Sequence, residues 1–214
     1  MKKCLSMILA CVLLLGLCAC DQEDPNSRTI YLTTFSSTVY EDGNMLIVEY
    51  TYDSKNRPTQ SVHTYNFGGY MSSVTYTHEC NEFGQTISQT DGVATTEYDY
   101  NEAGEMVSAR IYYNEQLDGM QKFYYENGQM VKAEWYSYGI LTAYTEYSYN
   151  MNNRTAKAVS YDSAGAKTDY SEYKYTSDGK SCTVKNYSAD GALLYTQTID
   201  YKPIKVPVDS PRKS

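Results

Sequence analysis

Tyr98-Asp99-Tyr100-Asn101-Glu102-Ala103-Gly104 sets two tyrosines one residue apart and follows them with a turn ending in glycine. The same unit begins at Tyr50 (YTYDSKNR), Tyr147 (YSYNMNNR) and Tyr173 (YKYTSDGK). Degenerate copies begin at His78 (HECNEFGQ) and Lys122 (KFYYENGQ), making six units about 25 residues apart. A fixed period of that length marks a repeat architecture, in which each unit is one supersecondary element. Asn101 can bond back to its own turn, and Gly104 tolerates positive φ without a Cβ clash. Asn56 and Asn153 stand at the glycine place in two units, and asparagine is the next most tolerant residue there.

A second set of turns lies between the units, at Tyr65-Asn66-Phe67-Gly68-Gly69, Asp91-Gly92, Asn114 to Gly119, Tyr138-Gly139, Asp162 to Gly165 and Ser188 to Gly191. Turns therefore come about every 12 residues, and the segments between them are rich in Tyr, Thr and Val. The reading is all-β: an antiparallel meander of about 14 short strands, a curled or wound single sheet with almost no helix. A closed ring of that many strands is expected to leave a lumen that side chains do not fill.

Alternation gives each strand two faces. Leu46, Val48, Tyr50 and Tyr52 share the core side with Leu141, Tyr147 and Tyr149 in their own strand, and Glu49, Glu97, Glu146 and Glu172 lie opposite. Leaving four turn residues unpaired sets Tyr98 against Val107, Tyr147 against Ala156, Tyr173 against Cys182 and Glu146 against Lys157. Lys132, Arg110 and Lys185 join the polar face.

The ends bound the location. Met1-Lys2-Lys3 precedes an apolar run, Leu5 to Leu17, too short to span a bilayer as a helix. Leu17-Cys18-Ala19-Cys20 resembles the bacterial lipobox, which implies cleavage before Cys20 and diacylglycerol and acyl (palmitate-type) chains on Cys20. Asp21-Gln22-Glu23-Asp24 resembles the acidic export signal of Gram-negative gut anaerobes, which implies an outer-membrane lipoprotein facing the cell exterior; a plain solvated tether is the other reading. The expected organisation is a signal peptide over 1–19, an acidic tether over 20–28, a β-repeat domain over 29–202 and a flexible tail over 203–214.

Cleavage leaves Cys80 and Cys182 as the only thiols of the folded part, and repeats that far apart in a meander are expected to keep them separate. Removing Lys2 and Lys3 leaves 16 basic against 26 acidic residues, a net charge near −10, which argues against nucleic acid as a partner.

The Tyr-x-Tyr-(Asp/Asn)-x-x-Gly unit is similar to the YD repeat of the RHS family. Tyr124-Tyr125-Glu126-Asn127-Gly128-Gln129 looks like the related repeats of antitoxin-like and MORN-variant proteins. The resemblance covers about 150 residues and implies a β-sheet strip that winds around cargo in the long family members. With six copies, a lipid anchor and no toxin domain, a shorter curled sheet, or one closed on itself, is the better expectation here.

Catalytic machinery is not evident. There is no Gly-x-Ser-x-Gly, no histidine placed by sequence context to pair with a serine, no phosphate-cradling glycine loop and no cofactor motif. His78 and Cys80 stand in the two Tyr slots of a degenerate unit, too few for a metal site. Candidate ligand-binding residues are His78 and Trp135, where the repeat breaks its own pattern, and Asp162-Ser163-Ala164 resembles an O-glycosylation acceptor at Ser163. The functional expectation is a binding module for a glycan or an envelope protein, anchored to the membrane by lipid. The alternatives are a scaffold without a small ligand and, further off, a polysaccharide-acting enzyme, because 26 acids leave room for a carboxylate pair.

Overall fold

The computed structural model describes residues 27–207; the lipobox, Cys20, the acidic cluster and residues 208–214 lie outside them. Seven strands form the first half: β1 (Ser27–Tyr40), β2 (Met45–Tyr52), β3 (Pro58–Phe67), β4 (Tyr70–Cys80), β5 (Thr86–Thr90), β6 (Ala94–Tyr100) and β7 (Met106–Tyr113). Seven more complete it: β8 (Gln116–Glu126), β9 (Gln129–Ser137), β10 (Ile140–Tyr149), β11 (Thr155–Asp162), β12 (Lys167–Tyr175), β13 (Ser181–Ser188) and β14 (Leu193–Pro207). Each strand pairs antiparallel with the next, and β14 pairs with β1, so the meander closes into a barrel.

Closure is carried by the longest pairing in the molecule. Tyr40 lies opposite Tyr195, Ser37 opposite Thr198, and the two strands run on together to Ser27 and Pro207. Residues 203–207, expected to belong to a flexible tail, pair instead with residues 27–31. Closing the sheet leaves no unpaired edge along the barrel wall, the usual liability of a β-sheet.

The Tyr-x-Tyr turns all lie at one end. In the unit from Tyr98, Gly104 N–H donates to Asn101 O and Asn101 N–H to Glu105 O, with Gly104 at φ 79°. Asn56 and Asn153 hold the same place at φ 59° and 56°. This is a type I turn closed by a left-handed residue, the three-residue hairpin loop.

The register differs from the simple expectation. Tyr98 lies opposite Ala109, Tyr147 opposite Ala158, Tyr173 opposite Val184, and Glu146 opposite Val159 and Lys132. Each return strand in the first five units carries an extra residue: Thr59, Ile87, Val107, Val131 or Ala156. A bulge of this kind adds one residue on one strand and increases local twist. The last unit has no bulge; its loop, Thr176 to Ser181, is one residue longer instead. Slipping by two residues keeps every face, so the core assignment of the tyrosines stands. Leu141 is the exception: a bulge at Thr142 sets it opposite outward-facing Tyr136, off the core side.

The interior holds the core. Val48, Ala133, Cys182 and Ile199 are fully buried, and three apolar clusters, around Leu46, Phe123 and Val184, are covered by inward tyrosines. A tyrosine reaches further into so wide a ring than an aliphatic side chain does. In the units from Tyr50, Tyr98 and Tyr147 the two tyrosines divide the work. The second donates its hydroxyl to the neighbouring strand: Tyr52 to Thr33 O (2.6 Å), Tyr100 to Thr86 O (2.8 Å) and Tyr149 to Met130 O (2.8 Å). The first reaches inward, where Tyr98 on β6 feels Tyr50 on β2, and Tyr147 on β10 feels Tyr195 on β14. Burial raises the phenol pKa of both well above its usual value.

Candidate functional site

Outward-facing positions divide the barrel into two unlike walls. From β2 to β6 they carry mainly Thr, Ser, Val and acids, such as Thr51, Val62, Thr75 and Glu97. Residues 27–121 hold four basic against 13 acidic residues, whereas residues 122–204 hold nine of each. From β8 to β13 the wall carries a row of tyrosines interleaved with lysines. Charged outward residues such as Arg110, Lys122, Lys157 and Glu172 occur at mid-strand, where a lipid environment would cost about 2–4 kcal/mol for each cation at the midplane. Such a wall faces water.

The row has a definite geometry. Tyr144 and Tyr161 lie opposite each other on β10 and β11 and stack at 4.8 Å and 17°. Tyr170 and Tyr187 do the same on β12 and β13, at 5.0 Å and 19°. Lys132 stands over Tyr144 at 4.7 Å, and Lys157 and Lys167 stand over Tyr170 at 4.7 and 4.0 Å. Stacking and cation–π contacts at exposed sites contribute about 0.5–1 kcal/mol apiece. With those ring faces engaged, the wall offers ring edges, hydroxyls and ammonium groups.

At the head of the row sits Glu134, nearly covered on the outer face of β9. Tyr124 and Tyr136 donate their hydroxyls to Glu134 Oε2 (2.6 and 2.7 Å), and Lys132 Nζ donates to Oε1 (2.7 Å). The Lys132 ammonium and both phenols hold the carboxyl down at about 2. The same contacts raise the Lys132 and Tyr136 pKa values. A carboxylate that acidic is a poor proton acceptor at neutral pH. The cluster is suited to recognition through fixed donors and acceptors.

The two residues singled out in the sequence lie elsewhere. Trp135 faces inward against the Phe123 cluster, with Gln121 opposite it on β8. His78 also faces inward, where its Nε2 lies 3.0 Å from Ser61 Oγ; Ser61 Oγ is in turn 3.2 Å from His63 Nε2. Sequence context gave no serine–histidine pairing, yet the fold makes a double one, because Ser61 on β3 and His78 on β4 meet across one ladder. Burial pushes both imidazoles down to about 4. Ser61 is 1% exposed, so no substrate reaches its hydroxyl in this state. Cys80 and Cys182 form no disulfide, and burial pushes the Cys182 thiol up to about 11. Ser163 is exposed in the turn between β11 and β12. Among the described residues no group of three or more acidic, histidine or cysteine side chains converges as a metal site.

The outward tyrosines went unread in the sequence. Their signal was present: Tyr144, Tyr161 and Gly165 recur 26 residues later as Tyr170, Tyr187 and Gly191.

No family model and no curated protein matches the chain. Among solved structures, a porin-like protein from Bacteroides uniformis shares the fold at a TM-score of 0.52 and 12% identity, over 80% of this chain and 98% of that one. A DUF3836 family protein from Bacteroides vulgatus matches at 17% identity and a TM-score of 0.30, over 43% of this chain and 99% of that one. A LolA superfamily protein from Nitrosomonas europaea matches at 10% identity and a TM-score of 0.32, over 91% of each chain. The first likeness concerns the fold alone, and the other two are too distant to bear on it.

Proposed function

We propose that this chain is an outer-membrane lipoprotein whose closed hairpin barrel is a non-catalytic binding module, and that its β8–β13 wall engages a hydroxyl-rich partner, a glycan. The carrying observation is the row from Glu134 through Tyr144 and Tyr161 to Tyr170 and Tyr187 on a single wall of the barrel. Hydroxyls, ammonium groups and a fixed carboxylate are the donors and acceptors that vicinal sugar hydroxyls pair with, and a line of them suits a polymer lying along the wall. The lipobox resemblance at Cys20 supports the anchor, and the acidic run from Asp21 supports an outward-facing location. The YD-like character of the hairpins stands as a reading of the motif.

A scaffold role is the second reading, favoured by the stacking itself: tyrosines whose faces are occupied already serve the wall. The two separate in one experiment. A soluble form starting at Pro25 is titrated against arrays of plant, host and mucin glycans, with a Tyr144→Ala/Tyr170→Ala variant beside it. Saturable binding weakened about tenfold or more in the variant fits a wall that binds. No binding to any glycan, with both forms equally folded, leaves the scaffold.

A further inference from the structure

Beyond the outer wall, the interior of β8 and β9 holds two hydrogen-bond donors without acceptors. Gln121 is 1% exposed, and its Nε2 has no partner; Trp135 Nε1, on the residue directly opposite, has none either. Both face the barrel interior, since Gln121 shares its face with Ala109 and Phe123. An unsatisfied buried amide or indole N–H is costly, and native proteins rarely leave two side by side.

The path from this pair to the nearer barrel end is lined mainly by small residues, with Ile111 beside Gly119 the larger exception. The inward positions above it are Gly119 on β8, Ser137 on β9, Ala143 on β10 and Ala94 on β6, all half-buried, where Gln121 is closed off. The strand tips beyond them carry four exposed apolar side chains, Tyr138 78%, Ile140 70%, Tyr113 57% and Leu117 50%, with polar Asn114, Glu115 and Gln116 between the last two. They belong to the two hairpins β7–β8 and β9–β10 that carry the donors. A lone exposed apolar residue needs no explanation, but four on adjacent tips above a buried polar pair do. The deep end asks for an oxygen acceptor, and the lip asks for an apolar body.

Charge narrows the ligand further. Residues 94–143, which span the strands around this mouth, carry eight acidic against three basic residues, so an anion is disfavoured. We infer that the mouth between β6 and β10 binds a neutral, largely apolar molecule that presents a carbonyl oxygen to Gln121 Nε2 and Trp135 Nε1. This site is independent of the outer wall, and the Tyr144→Ala/Tyr170→Ala variant keeps it.

Trp135 is the single tryptophan, so its emission reports directly on the site. The soluble form is titrated with decan-2-one, and with n-decane as the acceptor-free control, following Trp135 emission and calorimetric heat. The ketone is expected to saturate and to bind about tenfold more tightly than the alkane, the worth of a hydrogen bond to an otherwise unpaired donor. Gln121→Leu is expected to weaken the ketone several-fold toward the alkane, with an unchanged or higher Tm because a buried orphan amide is removed. Gln121→Met serves the same purpose should the leucine form not fold. No saturable response to the ketone, equal binding of the alkane, or a ketone affinity untouched by both variants overturns the inference.

Discussion

Lowering the pH from 7 to 5 should weaken this barrel through two side chains. His63 and His78 are held near 4 in the fold, against an ordinary value of 6.5, mainly because burial penalises the charged imidazolium; His78 also repels a proton on His63. The unfolded chain therefore binds more protons than the folded one between those values, and stability falls as pH drops through 6.5 toward 4. At pH 5 each histidine accounts for about 2 kcal/mol, and the two together for about 4 kcal/mol, a large share of the roughly 5–15 kcal/mol typical of a domain. Carboxylates confuse this window little. Glu134 sits at about 2, and Asp53, Asp178 and Asp190 are lowered by hydrogen bonds, so their losses come at more acid pH. Urea unfolding of the soluble form at pH 7 and pH 5, with His78→Gln beside it, measures the effect. The variant should lose about half of the pH dependence. Equal unfolding free energies at the two pH values would refute the buried, neutral pair.

Phe123→Ala should cost about 3–5 kcal/mol, read as a loss of Tm, because it empties the centre of the largest apolar cluster. Gly165→Val should destabilise by roughly 1 kcal/mol or more, since Gly165 sits at φ 84°, where a β-branched residue is strained; Gly165→Asn should be milder, and thermal melts of the pair check the order. Thiol labelling of the soluble form should leave Cys182 unmodified until denaturant is added, because it is fully buried and its thiol is pushed up to about 11. Rapid labelling of Cys182 in buffer would contradict the packed interior.

Local chemistry made much of the fold legible. Asn101 and Gly104 announce a turn whatever surrounds them, and period-two alternation sets Tyr98 and Glu97 on opposite faces. The bulge at Val107 left no such mark, because an extra residue on a return strand changes no local propensity. Closure was equally silent: Ser37 and Thr198 are ordinary strand residues, and their pairing depends on the accumulated twist and register of all 14 strands. The approach of Tyr50 to Tyr98 across the ring is likewise a property of closure and not of either residue's neighbours in sequence. The site was half visible. Broken repeats mark Trp135 and His78, and both lie inside the barrel, Trp135 against the apolar Phe123 cluster and His78 against Ser61. The wall of Tyr144, Tyr161, Tyr170 and Tyr187 is hidden in the sequence because the same residue type also fills the inward slots of the repeat.

Everything proposed for the two walls and the mouth rests on a barrel that closes between β1 and β14. Ser37 and Thr198 face each other across that seam. In a Ser37→Cys/Thr198→Cys variant of the soluble form, mild oxidation followed by peptide mass spectrometry reads the seam directly. A closed barrel gives the 37–198 disulfide within one chain at dilute protein concentration, whereas an open sheet leaves both cysteines free or links them only between molecules.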